Sequence, residues 1–178
     1  MPQLKKKDIL RLFHLLNDEM RLQALEGEVY LVGGAVMCLV FNVRPSTKDL
    51  DAYFKPANKI REATARVAAK TGNAPDWLND AVKGFFSDHG EYDMFLELSH
   101  LKVMTARAEY LLAMKCLAMR IGEEFYDIED VRYLIRYLNI KSYNEALDMI
   151  TKYYPLERFP QKTLYALEEI LEENGQSS

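Results

Sequence analysis

The sequence predicts an α+β protein in two parts, strands mixed with helices over residues 1–105 and helix alone over 106–178. Three observations carry that prediction. Short apolar runs, Val29-Tyr30-Leu31-Val32 foremost, alternate with amphipathic stretches in the first part. A double glycine, Gly33-Gly34, follows that run where a helix begins. Beyond Thr105 the apolar spacing is helical throughout, in four segments parted near Gly122, Asn139 and Pro155.

The elements follow in order. Ile9, Phe13, Leu16 and Met20 recur at helical spacing, which predicts a first helix from Leu4 to about Leu25 that Gly27 ends. Val29–Val32 is a buried strand, and the glycine pair opens a helix from Ala35 to Phe41. Pro45 marks a loop before a second strand, Asp49 to Phe54. Pro56 to Lys70 is a helix with Ile60, Ala63 and Val67 on its inner face, broken at Thr71-Gly72-Asn73. Trp77 to Val82 reads as a short helix, in which Asn79 and Asp80 could line a site or simply pack. Tyr92–Leu98 and Leu101–Met104 read as two strands joined at Ser99-His100.

Composition narrows the function classes. The chain has 178 residues, 49% hydrophobic and 28% charged, the balance of an ordinary globular protein with room for a real core. Its formal charge of −4 argues against a surface made to coat nucleic acid, leaving room only for a local basic patch. Cys38 and Cys116 lie in apolar runs as buried thiols. The lysine-rich start leads into an amphipathic pattern rather than a signal peptide, and no segment reaches the length of a membrane span. The expected location is cytoplasmic. His14, His89 and His100 have no neighbours at metal-ligand spacing.

Chemistry concentrates at Val32-Gly33-Gly34 and Arg44-Pro45-Ser46-Thr47-Lys48-Asp49-Leu50-Asp51. Asp49 and Asp51 are two apart on a strand, so both leave the same face and repel, which calls for a divalent cation or surrounding basic groups. Successive glycines at a helix start let backbone N–H groups approach a phosphate. In the second part, Lys115 falls inside the apolar stripe of Leu111, Leu112, Ala118 and Met119 on a helix spanning Ala106 to Arg120. Asp127 lies on the buried face set by Val131, Leu134 and Leu138, with Asp130 at its flank. Two readings stand: a structural Lys115–Asp127 ion pair, or a lysine that Asp127 orients toward phosphates or a carboxylate. The tyrosines at 133, 137, 143, 153 and 154 could form a recognition surface for a base or tRNA, or pack the helical core.

This pattern resembles the nucleotidyltransferase superfold shared by DNA polymerase β-like enzymes. An apolar strand, Gly33-Gly34, a helix and Asp49-Leu50-Asp51 occur with 14 residues between the glycines and the first carboxylate. Arg44, Thr47, the Leu-Leu-Ala-Met-Lys run ending at Lys115, and Tyr-Asp-Ile-Glu-Asp with Asp127 and Asp130 are similar to minimal bacterial nucleotidyltransferases. That branch includes abortive-infection and toxin–antitoxin enzymes.

The resemblance implies a mixed sheet with flanking helices as a catalytic domain over 1–105, and a helical bundle over 106–178 closing its cleft. It implies transfer of a nucleoside monophosphate from an NTP to a tRNA, a protein or a small molecule, with Mg²⁺ or Mn²⁺. Asp49 and Asp51 would hold the metal, and Gly33, Gly34, Arg44, Thr47, Lys48 and Lys115 the phosphates. The superfold often adds a third carboxylate from a later strand, for which Glu97, then Asp93, stand in the right region, while Asp127 is an alternative general base. Two rivals remain: a catalytically silent module of the same fold, and a toxin–antitoxin interaction protein with an antitoxin partner. The intact Asp-x-Asp favours the enzyme, since a silent module has no need to hold two repelling carboxylates together.

Overall fold

The computed structural model describes residues 3–119 and 127–176. The break expected near Gly122, and Arg120 before it, lie outside the described residues. A two-residue strand, β1 (Leu4–Lys5), precedes the first helix, α1 (Lys6–Leu22). Asp8 starts that helix by accepting the Lys5 backbone N–H at 3.0 Å. Gly27 does not end α1. The chain turns at Ala24, whose φ is +54°, and Gly27 begins β2 (Gly27–Val32). A side chain at Gly27 would stand 3.0 Å from both Ile60 Cδ1 and Met20 Cε, so close packing accounts for this glycine.

Next come α2 (Gly34–Leu39), β3 (Ser46–Thr47), β4 (Leu50–Lys55) and α3 (Ala57–Thr71). Gly72, at φ +75°, terminates α3 in a left-handed cap. The helix expected at Trp77–Val82 is replaced by a short strand, β5 (Leu78–Asn79), paired parallel with Leu50 and Asp51. Tertiary contacts override local pattern there. The Trp77 indole is buried, donates to the Thr64 carbonyl at 3.1 Å and meets the Phe13 ring edge-on. The Trp77 carbonyl in turn accepts the Leu50 N–H at 2.8 Å.

With β6 (Tyr92–Glu97) and β7 (Leu101–Ala106), a mixed five-stranded sheet forms in the order β5-β4-β2-β7-β6. Strand β2 runs antiparallel to β4 and parallel to β7. Alternation divides the sheet into two faces. Val29, Leu31, Ala52, Phe54, Leu101 and Val103 form a fully buried face against α1 and α3. Glu28, Tyr30, Asp51, Tyr53, Lys55 and Lys102 occupy the other face and are half-buried or exposed. Asn17 of α1 pins the β6–β7 turn, accepting the His100 N–H at 2.7 Å and donating to Ser99 Oγ at 3.3 Å.

The remaining helices are α4 (Ala108–Leu117), α5 (Asp127–Tyr137), α6 (Tyr143–Ile150) and α7 (Gln161–Gln176). Asn139, at φ +57°, breaks the chain between α5 and α6, and Ser142 caps α6 by accepting the Glu145 N–H at 3.1 Å. Helix α4 is buried almost all round and packs on α5, α6 and α7. It starts at Ala108, because Ala106 completes β7, and Ala118 is exposed rather than part of the inner stripe. Among the described residues there are thus seven α-helices and seven strands.

Contacts divide the chain into two units. Gly84 and the described residues before it join Tyr92–Ala106 in the first, while Phe85–Glu91 joins the residues from Arg107 onward in the second. Where a single boundary is expected between 105 and 106, the chain passes between the units after Gly84, after Glu91 and after Ala106. Phe85–Glu91 is held by the helices' tyrosines. Tyr153 donates to Glu91 Oε1 at 2.5 Å, Tyr154 donates to the Phe85 carbonyl, and the Ser87 N–H donates to the Tyr110 hydroxyl at 2.9 Å. These contacts put Tyr153 and Tyr154 to structural use. No helix of the described residues is long and apolar enough to cross a membrane.

Candidate functional site

Strand β2 ends at Val32 directly beside Asp51, and Asn79 flanks Asp51 on its other side. Leu50 and Ala52 are fully buried, so Asp51 between them leaves from the opposite face, and Asp49 shares its parity. Both carboxylates are half-buried, with Asp49 just ahead of the strand rather than within it.

After Val32 the backbone takes a turn that only glycine adopts freely. Gly33 sits at φ +66° and ψ −146° and opens α2. A Cβ placed on Gly33 would lie 3.5 Å from Oδ2 of Asp51. One placed on Gly34 would lie 2.8 Å from Nη1 of Arg44 and 3.4 Å from Oγ1 of Thr47. Thus the glycine pair, a guanidinium, a hydroxyl and a carboxylate meet at one corner of the first unit. The Thr47 hydroxyl also donates to the Asp49 carbonyl at 3.1 Å, tying the loop to the start of β4. Lys48 is exposed and, with Asp49, Asn73, Asp76 and Trp77, lines a cleft of about 190 Å³.

The third carboxylate is not where the sequence pointed. Glu97 pairs with Lys102, which lies level with Glu28 and Lys55 at the far end of the sheet. Four residues of strand separate that rung from Val32–Asp51, about 13 Å at about 3.3 Å per residue. The face is correct, because the register shift between Met94 and Leu96 turns Glu97 outward, but the end is wrong. Asp93 fails the other way. It pairs with Thr105, which lies beside Leu31, on the helix-covered face. Among the described residues no three histidine, cysteine, aspartate or glutamate side chains form a metal-binding group.

At that far end, Glu28, Lys55, Ser99, His100 and Lys102 line a larger cleft of about 460 Å³. Tyr30 donates to Glu28 at 2.6 Å, and Lys55 stands 3.3 Å from the same carboxylate. The tyrosine hydroxyl and then the ammonium hold the Glu28 carboxyl below its usual range.

The second unit holds the other predicted group. Lys115 Nζ lies 2.8 Å from Asp130 Oδ2 and 3.3 Å from Asp127 Oδ1. The three side chains are 10%, 1% and 6% exposed in that order, so this is a buried ion cluster. Asp130 is its deepest member and Lys115's nearer partner, not a residue at the flank. The inner face of α5 runs Asp127, Asp130, Val131, Leu134, with Ile135 buried where Leu138 was expected. Sequence spacing underrated Asp130, although its offset of three from Asp127 places both over one turn.

A divalent cation fits Asp49 and Asp51 in kind: both are hard oxygen donors and half-exposed, and Asp51 lies beside the glycine turn. Magnesium commonly takes one or two carboxylates and completes its shell with water and substrate phosphates. No family model, curated protein or solved structure matches the chain.

Proposed function

We propose that this protein is a metal-dependent nucleotidyltransferase, moving a nucleoside monophosphate from an NTP to an acceptor. One observation carries the reading: Gly33, Gly34, Arg44, Thr47 and Asp51 converge at the end of the central strand. The mixed sheet covered by helices on one face supports the nucleotidyltransferase-like fold behind it.

Each residue then has a defined task. Gly33 and Gly34 add no side chains of their own where Arg44, Thr47 and Asp51 meet, which would let phosphate oxygens approach backbone N–H groups. Arg44, over Gly34, offers a planar fork that binds phosphate and balances its charge. Thr47 fixes the approach of Asp49 to the strand. Asp49 and Asp51 would hold the cation, Mg²⁺ or Mn²⁺, which supplies polarisation of the α-phosphate and neutralises the leaving pyrophosphate. The Lys115 cluster is assigned a supporting role and is tested apart from this corner.

Calorimetry with Mg²⁺ and each nucleoside triphosphate tests the proposal. Wild type should bind at least one in a metal-dependent way, and Asp49→Ala with Asp51→Ala should abolish it. Binding that survives the double substitution would remove the site. A second reading, a silent module that binds nucleotide without transferring it, is favoured by the displacement of Glu97 and Asp93 from Asp51. Label transfer from an α-labelled triphosphate separates the two.

A further inference from the structure

Pairing of Leu4 with Thr47 and Lys5 with Ser46 lays the lysine-rich start of the chain against the loop that carries Arg44 and Lys48. Lys5, Lys6, Lys7 and Arg11 are all exposed, as is Lys48 across the pairing. Lys7, Arg11 and His14 follow at helical spacing, so the basic ridge continues up the outer face of α1. Lys6 and Arg44 act together on the buried Cys38 thiol, each opposing the rise that burial imposes on it. Two segments far apart in sequence thus build one cationic edge beside Gly33 and Asp51.

The charges on this edge are not spent on folding. Among the described residues, Lys5, Lys6, Lys7, Arg11 and Lys48 take part in no ion pair; in the same unit Lys83 and Lys102 also take part in none, while Arg21, Lys55, Lys59, Arg61, Arg66 and Lys70 do. Lys6 and Lys7 also occupy the first turn of α1, where the helix dipole disfavours cations. The acids facing the edge are Asp8, engaged with the Lys5 backbone, and Asp49, Asp51 and Asp76 at its inner end. A protein of net charge −4 has therefore gathered unpaired cations along one border of its candidate site.

We infer that this edge binds the sugar-phosphate backbone of a single-stranded RNA, whose end is the acceptor for the transferred nucleotide. Regular phosphate spacing suits a row of separate lysines and an arginine better than a compact anion does. The inference rests on the proposed transferase activity for the acceptor role, but binding itself does not depend on it.

The test uses the full chain without metal or NTP, and a fluorescent oligouridine of about 20 nucleotides, long enough to span a single binding site. Anisotropy should show binding that weakens with salt, log K falling by about 0.7 per phosphate contact for each tenfold rise in salt. Replacing Lys5, Lys6, Lys7 and Arg11 by Gln should weaken binding at least tenfold and flatten that slope. Replacing Lys83, Lys141, Lys152 and Lys162 by Gln removes the same charge elsewhere and should change affinity less than twofold. Three outcomes overturn the proposal: no binding at low salt, equal loss in both variants, or equal competition by polyglutamate, which would mark a mere charge effect. Mg²⁺–NTP calorimetry on the same samples keeps the two readings apart. Nucleotide binding without RNA binding removes the edge and leaves the transferase, and RNA binding without nucleotide binding does the reverse.

Discussion

Gly33 and Lys115 are the single residues on which most depends, for opposite reasons. Gly33 holds a backbone conformation that costs other residues about 1–3 kcal/mol, so Gly33→Ala should lower the unfolding free energy by about that much in urea titrations. Gly34 is not so strained. Gly34→Ala should fold normally but displace Arg44, whose Nη1 would lie 2.8 Å from the new methyl group, and so weaken nucleotide binding. Lys115 is buried between two carboxylates, and removing it takes a buried countercharge from both. Lys115→Met should cost about 3–5 kcal/mol, and adding Asp127→Asn with Asp130→Asn should recover most of that. Loss of activity in Lys115→Ala is therefore evidence of chemistry only when the variant's unfolding curve shows it folded at the assay temperature. Burial pushes the Cys116 thiol up to about 12 and raises that of Cys38, so neither should react with alkylating agents at neutral pH until the protein unfolds.

At the scale of elements, α1 and α3 are joined by one acid. Glu19 is buried, accepts from Arg66 Nε at 2.9 Å and also pairs with Lys70. The Lys70 and Arg66 hydrogen bonds hold its carboxyl below the ordinary 4.5 despite burial. A lowered carboxyl pKa contributes stability above the unfolded value and loses it as pH falls through the folded one. Glu19→Gln should thus destabilise by about 1–3 kcal/mol at pH 7 and progressively less below about pH 4.5, read from melting temperatures across pH. Elements also mark where sequence reasoning succeeded. Helical spacing located α1, α3 and α5, and the Val29–Val32 run located the central strand, because in each a continuous apolar face matches one period. It misread Trp77–Val82, where a buried indole and two strand pairings outweigh local pattern, and it could not foresee β1, whose partner lies in a distant loop. The corner of Gly33, Gly34, Arg44 and Thr47 was legible because those residues sit within one short stretch. Glu97 was not, since its position depends on strand register and a bulge that composition does not encode.

For the whole molecule, the division into units has practical weight. Phe85–Glu91 lies between strands of the first unit yet belongs to the second, where Tyr110, Tyr153 and Tyr154 hold it. Burial and the Glu91 carboxylate push the Tyr153 hydroxyl well above the ordinary tyrosine range, so the Tyr153–Glu91 hydrogen bond persists through neutral pH. A fragment beginning at Arg107 lacks those partners. It should give a lower melting temperature and weaker near-ultraviolet tyrosine signals than one beginning at Phe85 in which Tyr92–Ala106 is replaced by a flexible linker.

The order of strands also governs when the protein can come into being. Central strand β2 pairs through Gly27 with Leu101 on β7, so its second edge stays open while most of the first unit is synthesised. Such long-range parallel pairing is slow, because a large loop must close before any contact repays it. A ribosome-bound chain ending before β7 carries Gly33, Arg44, Asp49 and Asp51 but leaves Val29 and Leu31 beside an unpaired edge. Emergence of Leu101–Ala106 is then the event that commits the sheet. The corner of the candidate site is encoded early in the chain and secured late, so the proposed transfer activity would have to wait until its scaffold is complete.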